Sequence, residues 1–233
     1  VLSTCLPAQV AGVANIVVAS PNPTQVTMAA AALGGASSLL AIGGAQAIAA
    51  LTFGVFDTPA DIVVGPGNRW VTAAKKYLVG EVGIDGLAGP SELLVLADEF
   101  ADPATIAADL LGQHDDDAVP LLVTTSARLL DAVEKELALQ LQTLPTSSTA
   151  SASLRGNGVA FLVADLDEAV QVANRLAPEH LELCVQNPDA LRENLTAYGS
   201  LFVGGETAEV FGDYGAGPNH VLPTGGGPRF QAG

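Results

Sequence analysis

Short aliphatic, β-branched runs recur along this chain, several of them closed by glycine and followed by a helix-forming stretch; nothing else constrains its fold as much. Residues 15–20 (NIVVAS) predict a buried strand, and Pro21-Asn22-Pro23 turns into an Ala-rich helix over 24–33 that stops at Gly34-Gly35. A second strand over 38–42 runs into Gly43-Gly44, ahead of a helix over 45–53. A third over 61–64 meets Gly65-Pro66-Gly67-Asn68, ahead of a helix over 69–79 and a short strand at 82–85. Ala88-Gly89-Pro90-Ser91 makes a tight loop before a strand over 92–97. Strand–loop–helix repeats of this length require parallel strands joined by right-handed crossovers.

The second half continues with longer helices. A helix over 103–114 has proline in its first turn, where the missing N–H costs nothing. A strand at 121–124 precedes a strongly periodic helix over 126–142, capped by Ser126. The Ser/Thr-rich segment 144–157 reads as a surface loop. A strand at 159–163, a helix over 165–176 and strands at 181–185 and 200–203 follow, and the rest is rich in Gly and Pro. The expected class is α/β, in two layer systems over 1–100 and 101–233.

With 49% apolar and 15% charged residues, the 233-residue chain carries enough apolar material for a core and is not a disordered composition. A formal charge of −16 repels phosphate backbones and argues against nucleic-acid binding. Cys5 and Cys184 are the only cysteines and lack any metal-ligand or redox spacing, which fits a reducing cytoplasm. No uninterrupted apolar run reaches membrane-spanning length, and Val1 to Pro7 has neither an initiator Met nor the basic start of a signal peptide.

Two groups of residues point to chemistry. Glycine lets backbone N–H groups approach a phosphate, and a helix N-terminus adds favourable partial charge. The three glycine loops, followed by Gln46, Asn68 and Ser91, are expected at the carboxyl edge of a parallel sheet, where ligands bind. None is GxGxxG or a P-loop, and singly each reads first as an ordinary turn; the three together make a ligand cleft an equal alternative. All three histidines have acid or amide neighbours: Gln113-His114-Asp115, Glu179-His180, and Asn219-His220 shortly after Asp213. His, Asp and Gln are competent zinc ligands, and an adjacent Glu-His pair suits acid–base work near neutral pH. Solvated surface pairs and a solvated acidic loop at Asp115-Asp116-Asp117 are the plainer alternatives. Pattern alone reaches a metal-assisted enzyme with a nucleotide cleft and names no substrate.

Longer strings go further. Val63-Val64-Gly65-Pro66-Gly67-Asn68, Gly83-Ile84-Asp85-Gly86-Leu87-Ala88-Gly89-Pro90-Ser91-Glu92, Gly43-Gly44-Ala45-Gln46, Ala177-Pro178-Glu179-His180-Leu181-Glu182 and Gly212-Asp213-Tyr214-Gly215-Ala216-Gly217-Pro218-Asn219-His220 together resemble histidinol dehydrogenase, in order and over essentially the whole chain. The resemblance implies two Rossmann-like parallel-sheet domains, a homodimer, and oxidation of L-histidinol to L-histidine through the aldehyde with two NAD. Zinc would position the substrate. Glu179 and His180 match the catalytic pair: His180 would take the alcohol proton and Glu179 would activate water. Gln46 and Asn68 match cofactor contacts, and Ser91 a substrate contact. Gln113, His114 and Asp213 match zinc ligands that also touch substrate, as His180 does, and His220 matches a site-lining position.

One departure matters. Where the family reads Gln-Ala-Glu-His, this chain reads Gln113-His114, with the flanks in register on both sides. Residues three apart share a helix face, whereas neighbours point about 100° apart. Both side chains reach one metal only if the helix end unwinds. The resemblance also implies a cofactor-contacting tyrosine before Val1, and a zinc-ligand histidine and substrate-binding glutamate after Gly233. The alternative expectation is therefore a catalytically impaired homologue that keeps the fold and part of the ligand binding.

Overall fold

The glycine-closed strands fold as expected into parallel pairs with helical crossovers, in a computed structural model that describes residues 1–56, 58–112, 115–213 and 220–231, Asp213 by its backbone only. By contacts the chain divides into two units, Val1–Gly89 and Pro90–Gly233. The expected division near residue 100 would leave the strand at 92–97 in the first unit; its ladder partners place it in the second.

In the first unit, helix α1 (Leu2–Val10) precedes β1 (Val17–Ala19), α2 (Gln25–Leu33), β2 (Ser38–Leu40), α3 (Gly44–Thr52), β3 (Ile62–Val63), α4 (Arg69–Leu78) and β4 (Gly83–Ile84). Strands β1 and β2 pair in parallel, as do β3 and β4. Each strand has only two or three ladder positions, so burial falls to two small clusters: Cys5, Val18 and Ala31, and Ile48, Val63, Leu78 and Val82. Thr24 caps α2 by accepting the Thr27 N–H at 3.2 Å, satisfying a donor the first turn leaves open.

The second unit is one parallel sheet with helices on both faces. Its elements are β5 (Glu92–Ala97), α5 (Pro103–Leu111), β6 (Val119–Thr124), α6 (Ala127–Gln140), α7 (Ser147–Asn157), β7 (Val159–Leu162), α8 (Leu166–Leu176), β8 (His180–Cys184), α9 (Pro188–Arg192), β9 (Ser200–Val203) and α10 (Val210–Asp213), then a 3₁₀ turn at Gly227–Arg229. Strand order is β7-β6-β5-β8-β9, all parallel, so the winding reverses between β5 and β8. Alternation along β5 divides the core. Leu94 and Leu96 join Leu181, Leu183 and the α8 residues Ala169 and Ala173 on one face. Leu93, Val95 and Ala97 meet Ile106 and Leu110 of α5 and Leu129 and Val133 of α6 on the other. This is a Rossmann-like α/β arrangement.

Two expectations need correction. Residues 147–157 fold as a helix, not a surface loop. Tertiary bonds override the weak propensity of its Ser/Thr run: buried Ser153 donates to the Ala118 carbonyl at 3.2 Å, and Asn157 Nδ2 donates to the carbonyls of Asp117 and Ala118. And the Ala88-Gly89-Pro90-Ser91 loop precedes β5, so Ser91 lies at the amino edge of the five-stranded sheet rather than the carboxyl edge. At the carboxyl end of β5, buried Asp98 accepts the N–H groups of Phe100 and Gln186. The loops at Gly43-Gly44 and Gly65-Pro66-Gly67 do follow β2 and β3 and lead into α3 and α4.

Candidate active site

Helix α8 ends on Ala177, the one non-glycine with positive φ (49°) among the described residues, whose N–H still reaches the Ala173 carbonyl at 2.8 Å. Pro178 cannot extend the helix, and the chain swings directly into Glu179 and β8. His180 is thus the first residue of the strand, registered between Leu93 of β5 and Ser200 of β9. The spacing of apolar residues had placed the strand one position later.

Glu179 and His180 are almost wholly buried, and Glu92 brackets both. The Glu92 N–H donates to Glu179 Oε2 at 3.1 Å, while Glu92 Oε2 accepts the Glu179 N–H at 3.3 Å. The Glu92 carbonyl lies 3.1 Å from His180 Nδ1. A carbonyl only accepts, so Nδ1 carries the proton and Nε2 is the basic nitrogen. Glu179 Oε2 and Glu209 Oε2 each stand 3.7 Å from the same Nδ1. The Phe202 ring packs tilted on the imidazole at 6.0 Å. Glu92 Oε1 also accepts the Gly225 N–H at 2.7 Å, tying in the segment beyond α10. Burial raises the Glu92 pKa, against the lowering effect of the two N–H bonds. Gly199 backs the pair: a Cβ there would come within 2.5 Å of the Glu179 carbonyl.

More carboxyls stand on the His180 side of the sheet. Glu182, two residues on and on the same face, is 1% exposed, and its Oε1 accepts the Glu209 N–H at 2.8 Å. Burial first, then repulsion from Asp109 of α5, pushes its pKa up to about 8. Asp109 is raised by burial to about 6. Burial also pushes the Cys184 thiol up to about 12, which removes it as a nucleophile.

In the first unit Asn68 caps α4, its Oδ1 accepting the N–H groups of Trp70 and Val71 at 3.1 and 3.2 Å. Any ligand contact through its side chain therefore falls to the amide Nδ2. The loop it belongs to is clamped. Buried Lys75 pairs with Asp85 and donates to the Gly65 carbonyl at 2.9 Å, while Asp85 Oδ2 accepts the Gly65 N–H at 2.7 Å. Gly65 has φ +115°, open to glycine alone at low cost. Gln46 is exposed in the first turn of α3, a helix that starts on Gly43 with no side-chain cap.

The structure thus brings Ser91, Glu179 and His180 to one sheet edge in the second unit, and sets Gln46 and Asn68 at the starts of two helices in the first. Gln113 and His114 lie outside the described residues, as does the side chain of Asp213, whose backbone ends α10. His220 is half-buried. Among the described residues no group of three His, Cys, Asp or Glu is placed to hold a metal, so they do not by themselves make a zinc site. Sequence reasoning gave no role to Glu92, Glu182 or Glu209. Glu182 did leave a signal, a carboxylate inside an apolar strand run.

Comparison with known proteins bears on the family and the fold. The histidinol dehydrogenase family model matches residues 1–233. The chain is 50% identical to a histidinol dehydrogenase from Rhizobium meliloti, over 100% of this chain and 55% of that one, and 48% identical to one from Aquifex aeolicus, over 99% and 55%. A solved histidinol dehydrogenase from Elizabethkingia anophelis superposes with a TM-score of 0.89 at 38% identity, covering 100% of this chain and 56% of the other. The chain therefore spans about half the length of the relatives it matches. Matched from end to end by the family model and folded like a solved member, this chain belongs to the histidinol dehydrogenase family.

Proposed function

We propose that this chain carries the catalytic pair of a histidinol dehydrogenase, an oxidoreductase of histidine biosynthesis that converts L-histidinol to L-histidine. The observation that carries the reading is the Glu92 bracket, which fixes the proton on Nδ1 of His180 and holds the Glu179 carboxylate beside it. Nε2 of His180 takes the alcohol proton as the carbinol carbon loses hydride. The adjacent carboxylates stabilise the imidazolium that results. Glu179 then takes a proton from water adding to the aldehyde, giving the hydrate that is oxidised second. NAD supplies the hydride acceptor in both oxidations, and Gln46 and Asn68 are the residues that would hold it. The uncapped start of α3 and the glycine loop before α4 suit a polar, anionic ligand.

Ser91, at the same edge as the pair, would contact substrate. Gln113, His114 and Asp213 would supply zinc and substrate contacts. The family also implies a cytoplasmic homodimer; no described helix is long and apolar enough to cross a membrane.

One observation favours a second reading. Gln113 and His114 are adjacent, which suits a homologue impaired at its metal centre. NADH formation from L-histidinol with added zinc decides between them. Two NADH per histidinol are expected of the enzyme. A folded protein without turnover selects the impaired homologue, and preference for another amino alcohol overturns the substrate.

A further inference from the structure

Glu182 is a carboxylic acid in the middle of a fully buried strand, a costly place for a group with no task. Its strand neighbours are Val95 of β5 and Phe202 of β9, both apolar. Oε1 accepts the Glu209 N–H at 2.8 Å, across 27 residues of sequence. The buried carboxyl also lies against the carboxyl of Asp109 on α5. Glu209 immediately precedes α10 and directs its own Oε2 to within 3.7 Å of His180 Nδ1. His180 and Glu182 thus share one strand face and are joined a second time through Glu209.

We propose that Glu182 is a positioning residue for His180: by holding the backbone of Glu209 it keeps the Glu209 carboxylate against Nδ1. Among the described residues, the groups facing the imidazole include the Glu92 carbonyl from β5, Glu179 from the start of β8, Glu209 from the segment before α10 and the Phe202 ring from β9. Removing the Glu182 anchor releases the Glu209 N–H, while the Glu92 carbonyl and Phe202 do not depend on it. A glutamine keeps an acceptor oxygen for the Glu209 N–H, whereas a leucine of similar size does not.

The proposal's consequence for catalysis rests on the reading of His180 as the base, but its test does not need turnover. In the ¹⁵N-labelled whole chain, the His180 imidazole resonances are assigned by their loss in His180→Asn. Glu182→Leu is expected to move the Nδ1 and Nε2 shifts away from wild type, Glu209→Gln to move them the same way, and Glu182→Gln to restore them. Val95→Ala, a core truncation beside Glu182, controls for general loosening. If Glu182→Leu moves His180 no further than Val95→Ala, the proposal is overturned. If Glu182→Leu does not fold, Glu209→Gln decides: wild-type shifts there overturn it. Failure of the catalytic reading shows separately, as full activity in His180→Asn.

Discussion

Lys75→Met tests the clamp on the glycine loop that leads to Asn68. Methionine has a similar length and keeps the apolar stem packed, so the change removes mainly the charge and its donors. Lys75 is 1% exposed and Asp85 23%. Breaking a buried ion pair costs about 3–5 kcal/mol, because one charge is left without its partner. Here Asp85 is partly solvated and keeps the N–H groups of Gly65 and Gly86, which lowers the expected loss to about 2–3 kcal/mol. For a unit of 89 residues that is a fall of roughly 8–24 °C in midpoint, at about 4–8 °C per kcal/mol. Asp85→Asn is expected to cost about as much, since it leaves a buried ammonium without its carboxylate. The double variant should lose about 1–3 kcal/mol less than the sum of the singles, the coupling expected of groups in contact. Trp70, the only tryptophan and a resident of α4, reports unfolding of this unit by fluorescence in urea. Additivity to within about 0.5 kcal/mol would refute the clamp.

Three further outcomes are expected. Glu182 titrates near 8 in the fold against 4.5 unperturbed, so the folded state holds a proton that the unfolded chain has given up. Stability should therefore fall as pH rises from about 5 to about 8, and Glu182→Gln should flatten that slope, as read from melting midpoints against pH. Gly199→Ala pushes a methyl to 2.5 Å from the Glu179 carbonyl and should cost about 1–3 kcal/mol in chemical denaturation; a neutral result would show that the β8–β9 edge yields easily. Inserting Ala-Glu between Gln113 and His114 restores the family spacing and should raise zinc affinity by calorimetry, whereas unchanged affinity in a folded protein would show that the spacing is not at fault.

The strands at 92–97 and 200–203 were legible to the residue, because a short aliphatic run bounded by polar or glycine residues has few other fates. Helix α7 was not, since its stability comes from Ser153 and Asn157 bonding to backbone 35 to 40 residues away. Helix α1 was also missed; its interior Pro7 masks a segment that buries Cys5. Division of the chain at Gly89 depends on β5 pairing with β6 and β8, which no local pattern reveals. The proposed pair, Glu179 and His180, stood out through its motif. Glu92 stood in a quoted motif without a role, because it works through its backbone and through register with a strand 87 residues on. Glu209 could be seen only once β8 and β9 were side by side.

The most direct test of the account is the rate of NADH formation from L-histidinol by the protein expressed from its complete reading frame, compared with its His180→Asn variant. Loss of a positioned general base is worth about 10²–10⁴-fold, so the variant should fall by that factor while remaining folded. Turnover that survives His180→Asn undiminished would contradict the assignment of His180 as the base, and with it the role given to the Glu92 bracket.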